Sequence, residues 1–116
     1  MNQVFYLHFD EVELKERIKP LIAAGFDVRY HFSTLETVKW IDYNPDVMVI
    51  SLDRLPSHGR TYADGITASK KWKDSPIVFV GGKPDKVEPI KAKFPQGVFC
   101  SNEALTDTIR QIAGKK

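Results

Sequence analysis

Two runs of consecutive apolar residues, Val47-Met48-Val49-Ile50 and Ile77-Val78-Phe79-Val80, constrain this chain more than anything else in it. A strand with one wet face alternates apolar and polar side chains, so an unbroken apolar run describes a strand covered on both faces. Such strands belong to parallel sheets, whose neighbours must be joined by crossovers, usually helices. The sequence supplies them. Val4-Phe5-Tyr6-Leu7 is a further β-rich run, after which Val12, Leu14, Ile18, Leu21 and Ile22 recur at helical spacing up to Gly25. Pro20 falls inside that segment and predicts a kink or an early end near Lys19.

Phe26 to His31 reads as a second strand, and Ser33-Thr34-Leu35-Glu36 has the spacing of a capping box opening a helix that carries Leu35, Val38 and Ile41. The polar loop Leu52 to Tyr62, with Pro56 and Gly59, leads to a weaker helix through Ala63 and Ile66 to Trp72. After Gly81-Gly82 comes a helix around Val87, Ile90 and Phe94 with Pro89 inside it, then a short strand at Val98-Phe99. A last helix carries Leu105, Ile109 and Ile112 before Gly114. Five strand-helix units with right-handed crossovers predict an α/β, flavodoxin-like three-layer α/β/α sandwich, its five-stranded parallel sheet ordered 2-1-3-4-5. Ligands of such sheets sit beyond the carboxyl ends of the strands, near the switch point between the first and third.

Length and charge narrow the function. With 116 residues the chain is expected to be a single domain, 1–116, without a fused output domain. Seventeen Lys+Arg against fifteen Asp+Glu give a charge of +2, which argues against a nucleic-acid partner. A lone Cys100 excludes an intrachain disulfide and a multi-cysteine metal cage, and suits a reducing, cytoplasmic setting. No leader or membrane partner is expected, because no apolar window approaches the roughly 20 residues of a bilayer span.

The strand ends present His8, Phe9, Asp10 and Glu11; Ser51, Leu52, Asp53 and Arg54; Gly81, Gly82 and Lys83; and Cys100, Ser101 and Asn102. The run from Pro45-Asp46 through Val47 to Ser51, Leu52, Asp53 and on to Pro56 and Gly59 resembles the third strand and following loop of a response-regulator receiver domain (CheY-like). The resemblance extends over nearly the whole chain in length, element order and hydrophobic pattern. It implies a phosphoacceptor aspartate ending the third strand, two acids ending the first to hold magnesium, a Ser/Thr after the fourth and a lysine after the fifth.

This chain departs from each of these. Counted from Pro45-Asp46 the acceptor position is Ser51, and counted back from Pro56 it is Leu52. The nearest carboxylate, Asp53, lies two residues past Ser51, about 7 Å along a strand. Asp10, with Glu11 beside it, is what the first strand offers, so Asp10 and Asp53 would hold Mg2+ poorly and no cofactor is expected. The Ser/Thr position is Gly81, and the lysine position falls on Cys100 or Ser101. The resemblance therefore implies a degenerate receiver: no enzyme, but a phosphorylation-independent module that contacts a protein partner or a second copy. Its face would be that of the fourth helix, fifth strand and fifth helix, from Val87 to Ile112.

Two other readings stand beside it. Ser57, His58 and Arg60, with Lys83 on the adjacent loop, could cradle a small anion or nucleotide on two cations and backbone amides, although no Walker or Rossmann spacing is present. Alternatively Asp53 is a working acceptor. A hydrolase triad built on His8, His31 and His58 lacks a nucleophile elbow, and no histidine spacing places two metal ligands together.

Overall fold

The computed structural model describes residues 3–8, 10–31, 45–53, 64, 76–95 and 97–113. Its strands are β1 (Gln3–Leu7), β2 (Asp27–His31), β3 (Val47–Ser51), β4 (Ile77–Val80) and β5 (Val98–Cys100). Its helices are α1 (Glu11–Ala23), α2 (Pro84–Lys93) and α3 (Leu105–Ala113). The expected helix over Leu35 to Ile41 lies outside the described residues, and of the one over Ala63 to Trp72 only Asp64, which is helical, is described. All strand pairs are parallel and the order is β2-β1-β3-β4-β5, the flavodoxin-like order read from the sequence.

The central strands split their side chains between two layers. Val4, Tyr6, Val47, Val49, Val78 and Val80 pack with Leu14, Ile18 and Leu21 of α1 and with Leu105 and Ile109 of α3. Phe5, Leu7, Met48, Ile50 and Phe79 point the other way, onto Ile90 of α2 and the adjacent Phe94. Both faces of β3 are thus covered, and every one of its five residues is buried, Ser51 included.

α1 departs from the sequence reading in two ways. Its buried stripe is Leu14, Ile18 and Leu21, while Val12 and Ile22 are 76% and 54% exposed and lie off the packed face. Pro20 does not end the helix, which runs to Ala23. Pro20 is exposed, so the bond it removes faces water, and burial of Ile18 and Leu21 on either side outweighs a proline penalty of about 3 kcal/mol. The real stop is Gly25 at φ +94°, where Gly25 N–H donates to Ile22 and Phe26 N–H to Leu21, the paired bonds of a Schellman end. β2 accordingly begins at Asp27, one residue later than expected, because Phe26 is used as the apolar seal of that turn.

Candidate functional site at the carboxyl end of the sheet

Beyond β3 the chain turns its next two side chains in opposite directions. Leu52 is buried in the α2-side core, whereas Asp53 projects over the end of the sheet. Two bonds set this register: Leu52 N–H donates to the carbonyl of Val80 at 2.9 Å, and Asp53 N–H to Ser51 Oγ at 3.3 Å. Ser51, one of the two counted acceptor positions, is therefore a buried strand-end residue, and Leu52, the other, is core. Asp53 is the carboxylate at the site.

Both Asp53 oxygens are engaged. Oδ1 accepts from Gly82 N–H at 2.7 Å, and Oδ2 accepts from Arg17 Nη1 at 2.5 Å and from Asn102 Nδ2 at 3.1 Å. Arg17 Nη1 also donates to Asn102 Oδ1 at 2.5 Å, which closes a ring of three side chains drawn from α1, the β3 end and the loop after β5. The side chains of Arg17 and Asp53 are each 24% exposed, so the pair is neither a fully wetted surface contact nor a buried one. Burial by itself raises the Asp53 pKa, but the Gly82 N–H, the Asn102 amide and Arg17 outweigh it and hold the carboxyl below its usual range.

Gly81 and Gly82 make room for this. Their φ values are +73° and +88°, and a Cβ at Gly81 would collide with the Asp53 carboxylate. A hydroxyl side chain at position 81 and a carboxylate at position 53 cannot both occupy this geometry.

A second set of contacts backs the first. Asp10 caps α1, its Oδ1 accepting from Glu13 N–H at 3.0 Å. Glu13 Oε1 accepts from His8 Nε2 at 3.1 Å and lies 3.6 Å from Arg17 Nη2, which links the fully buried imidazole at the end of β1 to the guanidinium. Beneath Arg17, the buried Tyr6 hydroxyl lies close to the guanidinium but short of hydrogen-bond geometry. Burial pushes its pKa up to about 12 against the opposing pull of Arg17.

Three residues read from the sequence stand at the strand ends but outside the hydrogen-bonded ring around Asp53. Lys83 is exposed at the start of α2. Ser101 is exposed, its Oγ accepting from Ala104 N–H at 3.3 Å. Cys100 is half-buried on β5, and burial raises its thiol pKa despite a bond to Thr108. Ser57, His58 and Arg60 lie outside the described residues. In the sequence Asn102 stands out only as a strand-end residue, and Arg17 and Glu13 belong to no motif. The available signal was that Asp10, Glu13 and Arg17 are spaced three and four apart, on one face of the first turns of α1. Among the described residues no group of three or more His, Cys, Asp or Glu is arranged to hold a metal ion.

No protein-family model matches the chain, and no curated protein matches it either. Solved structures do. The chemotaxis protein CheY4 of Vibrio cholerae superposes with a TM-score of 0.78 at 16% identity, over 97% of this chain and 98% of that one. The receiver domain of a histidine kinase from Syntrophus aciditrophicus gives 0.79 at 10% identity, over 99% and 92%. The response regulator TrrA of Thermotoga maritima, solved with Mg(2+)-BeF, gives 0.74 at 16% identity, over 97% and 99%. The fold is that of a receiver domain. Among the described residues no helix is long and apolar enough to cross a membrane.

Proposed function

We propose that this chain is a receiver-like signalling module that acts by contacting another protein and does not depend on phosphoryl transfer. One observation carries the reading: the carboxylate nearest the acceptor position, Asp53, is already bonded through both oxygens to the chain itself. An aspartyl nucleophile needs a free oxygen and a cation shared with the incoming phosphoryl group. Here the cation is Arg17, and it is tied to Asp53, Asn102 and Glu13. Gly81 offers no hydroxyl, Cys100 and Ser101 offer no lysine, and the amide of Asn102 is bonded to Asp53.

The contact surface we assign is the face of α2, β5 and α3, between Val87 and Ile112. β5 is an edge strand with Val98 37% exposed, and Phe99 beside it is only partly buried, with Lys91 Nζ 5.6 Å from its ring centre. An apolar strip on a sheet edge, flanked by lysines, suits a protein partner or a second copy of the chain. The lone cysteine suits work in a reducing compartment.

The test is an amide NMR titration of the whole chain with magnesium and beryllofluoride. Unmoved Asp53, Gly82 and Asn102 resonances are expected; a saturable shift at Asp53 would make it an acceptor and overturn the reading. Sedimentation at rising concentration tests the second copy, and a strict monomer would leave a different protein as the partner. A phosphate and nucleotide panel by thermal shift separates the anion-sensor alternative, because saturation at 100 times Kd adds about 2.7 kcal/mol of stability.

A further inference from the structure

We propose that Arg17 is the resident cation of this site, doing with a tethered charge what a bound divalent ion would do, so that the loops at the carboxyl end of the sheet are clamped without any external metal. The inference rests on the reading of the domain as independent of phosphoryl transfer and supplies its physical cause.

The guanidinium sits between two carboxylates. Nη1 donates to Asp53 and Nη2 faces Glu13, while Nη1 also reaches the Asn102 amide oxygen. Oxygen donors from α1, the β3 end and the β5 end converging on one positive charge are what a hard divalent ion would recruit. A magnesium ion would meet this set already occupied. It would have to displace a guanidinium that cannot lose its proton and that is tethered to its own helix.

Other donors fit the same arrangement. Gly82 N–H takes the far oxygen of Asp53, and the missing side chain at Gly81 lets the carboxylate lean toward Arg17. Asp10, the other acid at the switch point, has Oδ1 turned to the α1 backbone as its cap. The residues present therefore do not fit a resident magnesium ion. They fit a charge built into the fold. Removal of that charge takes away the cation that Asp53 and Glu13 share, so a divalent ion would no longer have to displace it.

The experiment uses the whole chain and Mn2+ alone as the probe, read as paramagnetic loss of amide peaks. In the unmodified chain the Asp53, Gly82 and Glu13 peaks should persist at Mn2+ concentrations that erase them in Arg17→Gln, and Arg17→Gln/Asp53→Asn should recover persistence. Equal loss in the unmodified chain would overturn the proposal, as would a folded Arg17→Gln that keeps its peaks. Should Arg17→Gln not fold, the unmodified chain still decides. A clamped guanidinium gives separate, slowly exchanging Nη proton signals that Asp53→Asn abolishes, whereas one averaged line defeats the clamp. Mn2+ is added without beryllofluoride. Failure here thus leaves the protein-contact reading standing, and a beryllofluoride response would defeat that reading separately.

Discussion

The interior of the sheet and its carboxyl edge are held by opposite kinds of force. Inside, β1, β3 and β4 are buried on both faces by side chains that attract through area and shape, with no required direction and little dependence on salt. At the edge, Arg17, Asp53, Asn102 and Gly82 meet through aimed hydrogen bonds between four separate segments, half in contact with water. The first arrangement tolerates change in detail as long as volume is conserved. The second is sensitive to single atoms but contributes far less stability, so it can be altered or removed while the fold persists. A scaffold of this kind can vary at its edge and keep its shape, which is how this geometry coexists with 10–16% identity to the structures it superposes on.

The comparison predicts its own largest effect in the interior. Phe79 is 1% exposed, stacks on Phe99 at 4.8 Å and packs on Phe94 at 5.6 Å. Phe79→Ala should cost about 3–5 kcal/mol in denaturant unfolding, equally at low and high salt. Tyr6 then joins the two regions, since its ring is core and its hydroxyl lies under Arg17. Its folded pKa of about 12 lies above the ordinary value of 10, so its contribution is fully present below pH 10 and is lost as the pH rises toward 12. Alkaline titration should therefore remove about 3 kcal/mol of stability across that interval. Tyrosinate absorbance should show Tyr6 ionising late, together with unfolding. If Tyr6 ionises near pH 10 with the fold intact, the hydroxyl is not buried as described.

The same division explains what could be read from the sequence. Strand order and the two-layer core were legible because apolar runs are local and each residue in them reports its own burial. Helix faces were less so. Val12 and Ile22 share the composition of a core stripe yet face water, because the sheet touches only the line through Leu14, Ile18 and Leu21. The clasp was not legible. Its partners are 29, 36, 49 and 85 residues apart, and polar side chains carry no period that announces convergence. Glu13 and Arg17 read as an ordinary i,i+4 pair on a wet helix. The doubled glycine was visible as a turn, but its meaning depended on where Asp53 would point.

That dependence can be broken at Gly81. Its φ of +73° disfavours any side chain, and the methyl of an alanine would collide with Asp53, so Gly81→Ala should cost about 1–3 kcal/mol. Part of the cost is strain in the residue itself and part is eviction of the carboxylate. The double variant Gly81→Ala/Asp53→Ala separates them: it should be more stable than the sum of the single losses, because the collision is removed. Strict additivity in thermal or denaturant unfolding would mean that Gly81 and Asp53 do not share space.

The smallest effect belongs to the charge on Asp53. Asp53→Asn keeps an acceptor for Gly82 N–H and removes the ion pair with Arg17, so at neutral pH and low salt it should cost about 1 kcal/mol or less, as partly exposed pairs do. The folded pKa of Asp53 is depressed, so its contribution is present above the ordinary carboxylate value and disappears as the pH falls through the lower folded value. The stability gap between the unmodified chain and Asp53→Asn should therefore be constant from neutrality to about pH 4 and close below it. High salt should narrow the same gap at neutral pH, since the pair is partly open to solvent. A gap that widens on acidification would require a raised pKa, in which case burial outweighs the clasp and Asp53 is held as a neutral acid rather than as the partner of Arg17.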